Sequence, residues 1–226
     1  MPPTADMLDA IELAPKGRAT HSILWLHGLG DTGHGHVDVV RSLALPAGVA
    51  PRFILPHAPQ IPVTINMGMV MPAWYDIESL EGRRHDLAGV RRSAERVAAL
   101  VEREIERGVP AEKIVLAGFS QGGVIAFHLA TRYPKTLAGA IGLSTYIVGA
   151  ETLEAEASAA NRSLPVFQAH GTVDPMIPIA GARRARDLLM ALGHEVEWHE
   201  YPMQHEISLE EIEDVSAWLG KRLLAG

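Results

Sequence analysis

The chain has no cysteine among its 226 residues. Disulfides, thiolate nucleophiles and cysteine-bound metals are thereby excluded, so a nucleophile must be sought among other side chains. Basic residues are also sparse: 20 Lys and Arg stand against 27 Asp and Glu, for a net charge of −7. They are scattered, which leaves no basis for a nucleic-acid groove or for adhesion to an anionic membrane, and small neutral or amphiphilic substrates fit better. The opening MPPTADMLDAIELAPKGR lacks the basic and apolar regions of a secretory signal, and a cytoplasmic protein is expected. Residues 53–75 are uncharged, but Pro56, Pro59, Pro62 and Pro72 interrupt them. A loop covering something apolar is expected there in place of a membrane span.

There is no internal repeat, low-complexity tract or Pro/Ser-rich linker. With 47% hydrophobic and 21% charged residues, the chain has material for one sizeable core, and a single domain over 1–226 is expected. Short apolar runs alternate with longer segments of helical period, the pattern of a mostly parallel sheet with helices on both faces. Strands are expected at 22–26, 52–55, 113–117, 139–143, 165–169 and 195–201, with an edge strand at 9–13. Leu87, Val90, Ala94, Val97, Val101 and Ile105 recur at helical spacing, as do Leu209, Ile212, Val215, Leu219 and Leu223. Ser208 and Glu211 have the spacing of a capping box for the last helix.

The most informative stretch is VLAGFSQGGVIAF at 115–127. A buried strand followed by a helix from Gln121 places Ser120 on a tight turn within Gly118-Phe-Ser-Gln-Gly122, the G-x-S-x-G nucleophile elbow. Side chains two residues before and after the serine would meet the crossing strand and helix, so glycine is required there. A serine hydroxyl needs a base within reach and an acid to orient that base. In this architecture the order is serine, acid, histidine. After Ser120, Asp174 lies in a proline-bounded loop following a strand; Asp187 falls inside a helical pattern. Of the later histidines, His194 precedes the last strand and His199 lies within it. Only His205 falls in the loop between the last strand and the last helix. The oxyanion donors expected are the main-chain N–H groups of Gln121 and of Leu29, the latter in the glycine-rich loop after the first central strand.

That loop also spells Gly28-x-Gly30-x-x-Gly33, a dinucleotide pattern, but the acid required about 20 residues on is missing. Its His27, Asp31, His34 and His36 could be taken for metal ligands, yet no helical i, i+4 pair is present. Neither cofactor nor metal is expected.

Several stretches resemble the carboxylesterase and phospholipase family of α/β-hydrolases, the family that includes acyl-protein thioesterases. They are LHGLGDTGHG at 26–35, NMGMVMPAWYDI at 66–77, GFSQGG at 118–123, HGTVDPMIP at 170–178 and HEISLEEI at 205–212. The resemblance covers essentially the whole chain. It implies an α/β-hydrolase fold, Ser120, Asp174 and His205 as triad, and Leu29 and Gln121 as oxyanion donors. Residues 56–80 become a substrate-covering loop, in which Met67, Met69, Met71 and Trp74 offer an apolar surface for an acyl chain. Ordinary core filling is the competing account of those four residues. His36 and Gln204 depart from the family's usual aromatic and small residues, which bears on the wall and the entrance of the acyl pocket. The expected function is hydrolysis of small acyl esters through an acyl-enzyme, with lysophospholipids or S-acyl thioesters as further substrates. A non-catalytic ligand-binding protein on the same fold is the alternative, and exposed apolar residues in the long loop point to a homodimer.

Overall fold

The computed structural model describes residues 7–79 and 86–224. Its elements are β1 (Ala10–Leu13), β2 (His21–Leu26), α1 (Val37–Arg41), β3 (Pro51–Pro56), β4 (Gln60–Val63), β5 (Met69–Pro72), α2 (Leu87–Glu106), β6 (Ile114–Phe119), α3 (Gln121–Arg132), β7 (Gly139–Leu143), α4 (Ala150–Glu156), β8 (Pro165–Gly171), α5 (Ile179–Ala191), β9 (Glu195–Tyr201) and α6 (Leu209–Leu224). Seven strands form one sheet in the order β1-β3-β2-β6-β7-β8-β9. All neighbours are parallel except β1, which runs antiparallel to β3 at the edge.

The central strands are apolar on both sides because both sides are covered. Leu24, Leu26, Ile114 and Leu116 face a core shared with α2 and α3. Ile23, Trp25, Val115 and Ala117 face the opposite one, closed by α1 and α6. In α2 the expected stripe is buried at Val90, Ala94, Val97 and Val101, and Asp86 caps the helix by accepting the Gly89 N–H at 2.8 Å. In α6 the stripe holds except at its first member: Leu209 is exposed, while Ile212, Val215, Leu219 and Leu223 are buried. The Glu211 N–H donates to Ser208 Oγ at 3.2 Å, which is one half of the capping box.

The covering loop expected at 56–80 is more ordered than its prolines suggested; Leu80, its last residue, lies outside the described ones. β4 and β5 pair antiparallel as a separate two-stranded sheet, with Val63 opposite Met69. No helix among the described residues is long and apolar enough to cross a membrane.

Candidate active site

Three loops at the carboxyl ends of parallel strands converge. Ser120 follows β6, Asp174 follows β8 and His205 follows β9, which is the rim where such sheets carry their chemistry. The elbow at Ser120 has φ 54° and ψ −120°, a left-handed conformation that costs on the order of 1–3 kcal/mol for a non-glycine residue. It is held from two sides. The Ser120 N–H donates to Leu143 O at 2.9 Å, and Thr145 Oγ1 donates to Ser120 O at 2.8 Å. The flanking glycines are required sterically. A Cβ on Gly118 would lie 2.3 Å from the carbonyl carbon of Gly122, and one on Gly122 would lie 2.2 Å from Leu26 O.

His205 Nε2 is 2.9 Å from Ser120 Oγ, and His205 Nδ1 is 2.7 Å from Asp174 Oδ2. The carboxylate can only accept from Nδ1–H, so Nε2 carries the lone pair and accepts the serine hydroxyl proton. Asp174 is itself fixed, because its Oδ1 accepts the N–H groups of Met176 and Ile177 at 2.8 and 2.9 Å. His170 supports the same loop from within the core, donating Nε2–H to Ile177 O at 2.8 Å and lying 3.4 Å from Asp174 Oδ2. Burial holds its imidazole below the ordinary range, so it remains neutral beside the acid. Gly171 lets the loops touch: a Cβ there would sit 2.3 Å from the carbonyl oxygens of Met203 and Gln204. The other candidates are engaged elsewhere. Asp187 pairs with Arg186, His199 pairs with Glu197 and Asp214, and His194 is buried just ahead of β9.

The glycine-rich loop reaches the serine from the opposite side. A Cβ on Gly28 would be 3.5 Å from Ser120 Cβ, so the main chain leading to Leu29 passes close to the hydroxyl. Gly30 is left-handed at φ 78° and donates its N–H to Pro72 O at 2.8 Å. His27 anchors the base of this loop, Nδ1–H to Gly28 O at 2.7 Å and Nε2 accepting from Ala58 N at 3.0 Å. Gln121 is buried, and its carboxamide bolts the 64–77 segment to the elbow. Oε1 accepts the Trp74 N–H at 3.1 Å while Nε2 donates to Tyr75 O at 2.9 Å. The main-chain N–H of Gln121 belongs to the first turn of α3, where no intrahelical acceptor exists.

A cavity of about 560 Å³ opens beside Ser120 and His205. Leu29, Ile65, Ile77, Phe119, Tyr146 and Ile177 supply its apolar walls. None of Met67, Met69, Met71 and Trp74 lines it, which corrects the expected acyl surface. Met67 and Met69 sit at the outer end of the β4–β5 ribbon, 92% and 57% exposed. Met71 Sδ accepts from Asn66 Nδ2. Trp74 is 1% exposed and donates its indole N–H to His27 O at 2.8 Å, so it is core, as the competing account had it. The walls come instead from Ile65, in the turn joining β4 to β5, and from Ile77, after β5, neither of which any periodicity marked. His36 and Gln204 also stay out of the lining. His36 is buried behind Phe119, with ring centroids 6.0 Å apart, and Gln204 is exposed.

The histidines of the glycine-rich loop disperse: His27 as above, His34 stacked on His57, and His36 between Trp25 and Asp31. Among the described residues no group of three His, Asp or Glu is arranged to hold a metal ion.

Fold and site together define an α/β-hydrolase. The profile of the phospholipase/carboxylesterase family matches residues 9–223, and the chain belongs to that family; it is a serine hydrolase. It is 39% identical over 214 residues to acyl-protein thioesterase 1 of Gibberella zeae, covering 90% of this chain and 91% of that one. Among solved structures, SOBER1 of Arabidopsis thaliana superposes with a TM-score of 0.85 at 30% identity, covering 90% of this chain and 99% of its own. The Zea mays acyl-protein thioesterase 2 does so with a TM-score of 0.84 at 32% identity, over 95% and 99%. These relatives are esterases by family, which sets aside the non-catalytic alternative.

Proposed function

We propose that Ser120, His205 and Asp174 are the catalytic triad of an ester and thioester hydrolase acting on acyl chains held in the cavity beside them. The observation that carries this reading is the unbroken relay from Ser120 Oγ through His205 to Asp174, at 2.9 and 2.7 Å. Ser120 Oγ attacks the acyl carbonyl as its proton passes to His205 Nε2. Asp174 holds the tautomer and stabilises the imidazolium. The carbonyl oxygen, now negative, is received by the N–H groups of Leu29 and Gln121, each such donor contributing about 100- to 1,000-fold in rate. His205 then gives its proton to the departing alcohol or thiol, leaving an ester on Ser120. Water, deprotonated by His205, attacks that ester and releases the acid.

Lipid-like acyl groups, including lysophospholipids and S-acyl proteins, suit the apolar walls; the relatives' names as acyl-protein thioesterases support the thioester branch. A cytoplasmic location belongs to the same proposal. So does a homodimer through the exposed Met67, Met69 and Val70. No cofactor enters the scheme. A fluorophosphonate probe tests the core of it: labelling of the wild type that vanishes in Ser120→Ala is the expected result. Equal labelling of both proteins would overturn it.

A further inference from the structure

One charged side chain in the cavity plays no part in the relay. Asp31 lines the cavity beside Leu29, and among the described residues it is the only carboxylate in that lining and no lysine or arginine accompanies it. Its side chain is 44% exposed, and its only ion-pair partner among the described residues is His36.

The carboxylate is built into place. Asp31 Oδ1 accepts the Thr32 N–H at 2.7 Å, and Oδ2 lies 3.4 Å from His36 Nε2. Trp25 Nε1–H donates to His36 Nδ1 at 3.0 Å, which fixes the His36 proton on Nε2, pointing at Asp31. Gly35 makes room for this cradle: a Cβ there would meet Asp31 Oδ1 at 2.3 Å. Burial holds His36 down to about 4, so it orients the acid at neutral pH without neutralising it. His36 thus supplies a hydrogen-bond donor to Asp31 from inside the fold.

We propose that Asp31 is a specificity-determining residue that favours substrates whose leaving group carries a positive charge over those whose leaving group is anionic. The inference rests on the serine-hydrolase reading, because the apolar walls take the acyl chain and leave the alcohol or thiol as the part that meets Asp31. An uncompensated carboxylate in a partly enclosed apolar cleft acts through a lower effective dielectric than water, and salt weakens it. The partner chemistry is an ester or thioester of an amine-bearing alcohol, a quaternary ammonium alcohol, or a basic peptide.

The test uses three butyrate esters whose alcohols end in trimethylammonium, tert-butyl or sulfonate. Each kcat/KM is divided by the ester's rate of hydroxide hydrolysis, which removes differences in intrinsic reactivity. The wild type is expected to prefer the cationic over the anionic ester by about ten-fold or more at low salt. Asp31→Asn, which keeps an acceptor for the Thr32 N–H, should reduce that ratio at least about five-fold. In the wild type, 1 M salt, where the Debye length is about 3 Å, should reduce it similarly, and this arm decides if the variant does not fold. A wild-type ratio near one, or a ratio unmoved by both Asp31→Asn and salt, would overturn the proposal. Failure of the underlying reading looks different: Ser120→Ala would then hydrolyse all three esters as the wild type does.

Discussion

Gly118 faces the main chain of Gly122 across the turn that carries Ser120, so closely that a methyl group on it would lie 2.3 Å from the Gly122 carbonyl carbon, and one on Gly122 would lie 2.2 Å from Leu26 O. Both are main-chain clashes that no rotamer change relieves. Gly118→Ala and Gly122→Ala are each expected to destabilise the protein by more than about 3 kcal/mol, or to abolish soluble expression. Gly17→Ala, where nothing lies within 4 Å of the added atom, should stay within about 0.5 kcal/mol. Urea unfolding of the three variants checks the contrast.

Asp174→Asn should fold normally yet lose on the order of 10⁴-fold in kcat, because the amide no longer favours the Nδ1–H tautomer of His205. Steady-state hydrolysis of a p-nitrophenyl ester at saturating concentration measures it. A loss below ten-fold would count against the role given to this carboxylate.

Gln121→Glu keeps the acceptor for the Trp74 N–H but turns the donor toward Tyr75 O into a second acceptor. The buried charge and lost bond should cost about 2–4 kcal/mol of stability. They should also loosen the segment bearing Ile65 and Ile77, raising KM for long acyl esters more than for acetate. Thermal unfolding and a chain-length series provide the two readouts.

Chain-length preference should follow the cavity walls. Ile77→Phe is expected to cut kcat/KM for octanoate esters relative to acetate by about ten-fold, whereas Met67→Ser should leave the profile unmoved. Trp74→Ala should register chiefly as lost stability, about 3–5 kcal/mol, since its ring fills the core and its N–H holds His27 O.

Glu211 carries the clearest stability signature with pH. Its carboxyl group is wholly buried with neither oxygen in a well-formed hydrogen bond among the described residues, and desolvation pushes it up to about 8; the Asp214 charge adds to this and the nearby Ser208 N–H works against it. A folded-state value above the unfolded one means the native state holds the extra proton. The contribution is therefore complete below the ordinary carboxyl range and is lost as pH rises toward about 8. Glu211→Gln, still compatible with the capping box, should remove this slope: the variant gains stability relative to wild type between pH 5 and 8. Parallel urea curves across that range would reject the assignment.

The sheet was legible because its central strands are buried on both faces and read as unbroken apolar runs, and the converging side chains because G-x-S-x-G fixes the order in which partners must follow. The ribbon of β4 and β5 was not, since Pro62 and Pro72 sit within it and its uncharged run lacks strand alternation. The methionines misled for a physical reason: apolar composition says nothing about which side of a two-stranded ribbon faces the cleft. Trp74 was claimed by the core because its indole N–H found a main-chain acceptor there. Leu209 followed the helical stripe but opens the first turn, beyond the reach of the sheet.

The ribbon shares no ladder with the seven-stranded sheet and is fastened chiefly at its base, by Gln121 to Trp74 and Tyr75 and by Gly30 to Pro72. It therefore behaves as a cassette. Its outer tip, from Met67 to Val70, lies beyond the bonds that tie Thr64 to Asp76 and Ile65 to Ile77, so it can be lengthened, shortened or exchanged while the rivets at its root keep the elbow and its neighbouring loop in register.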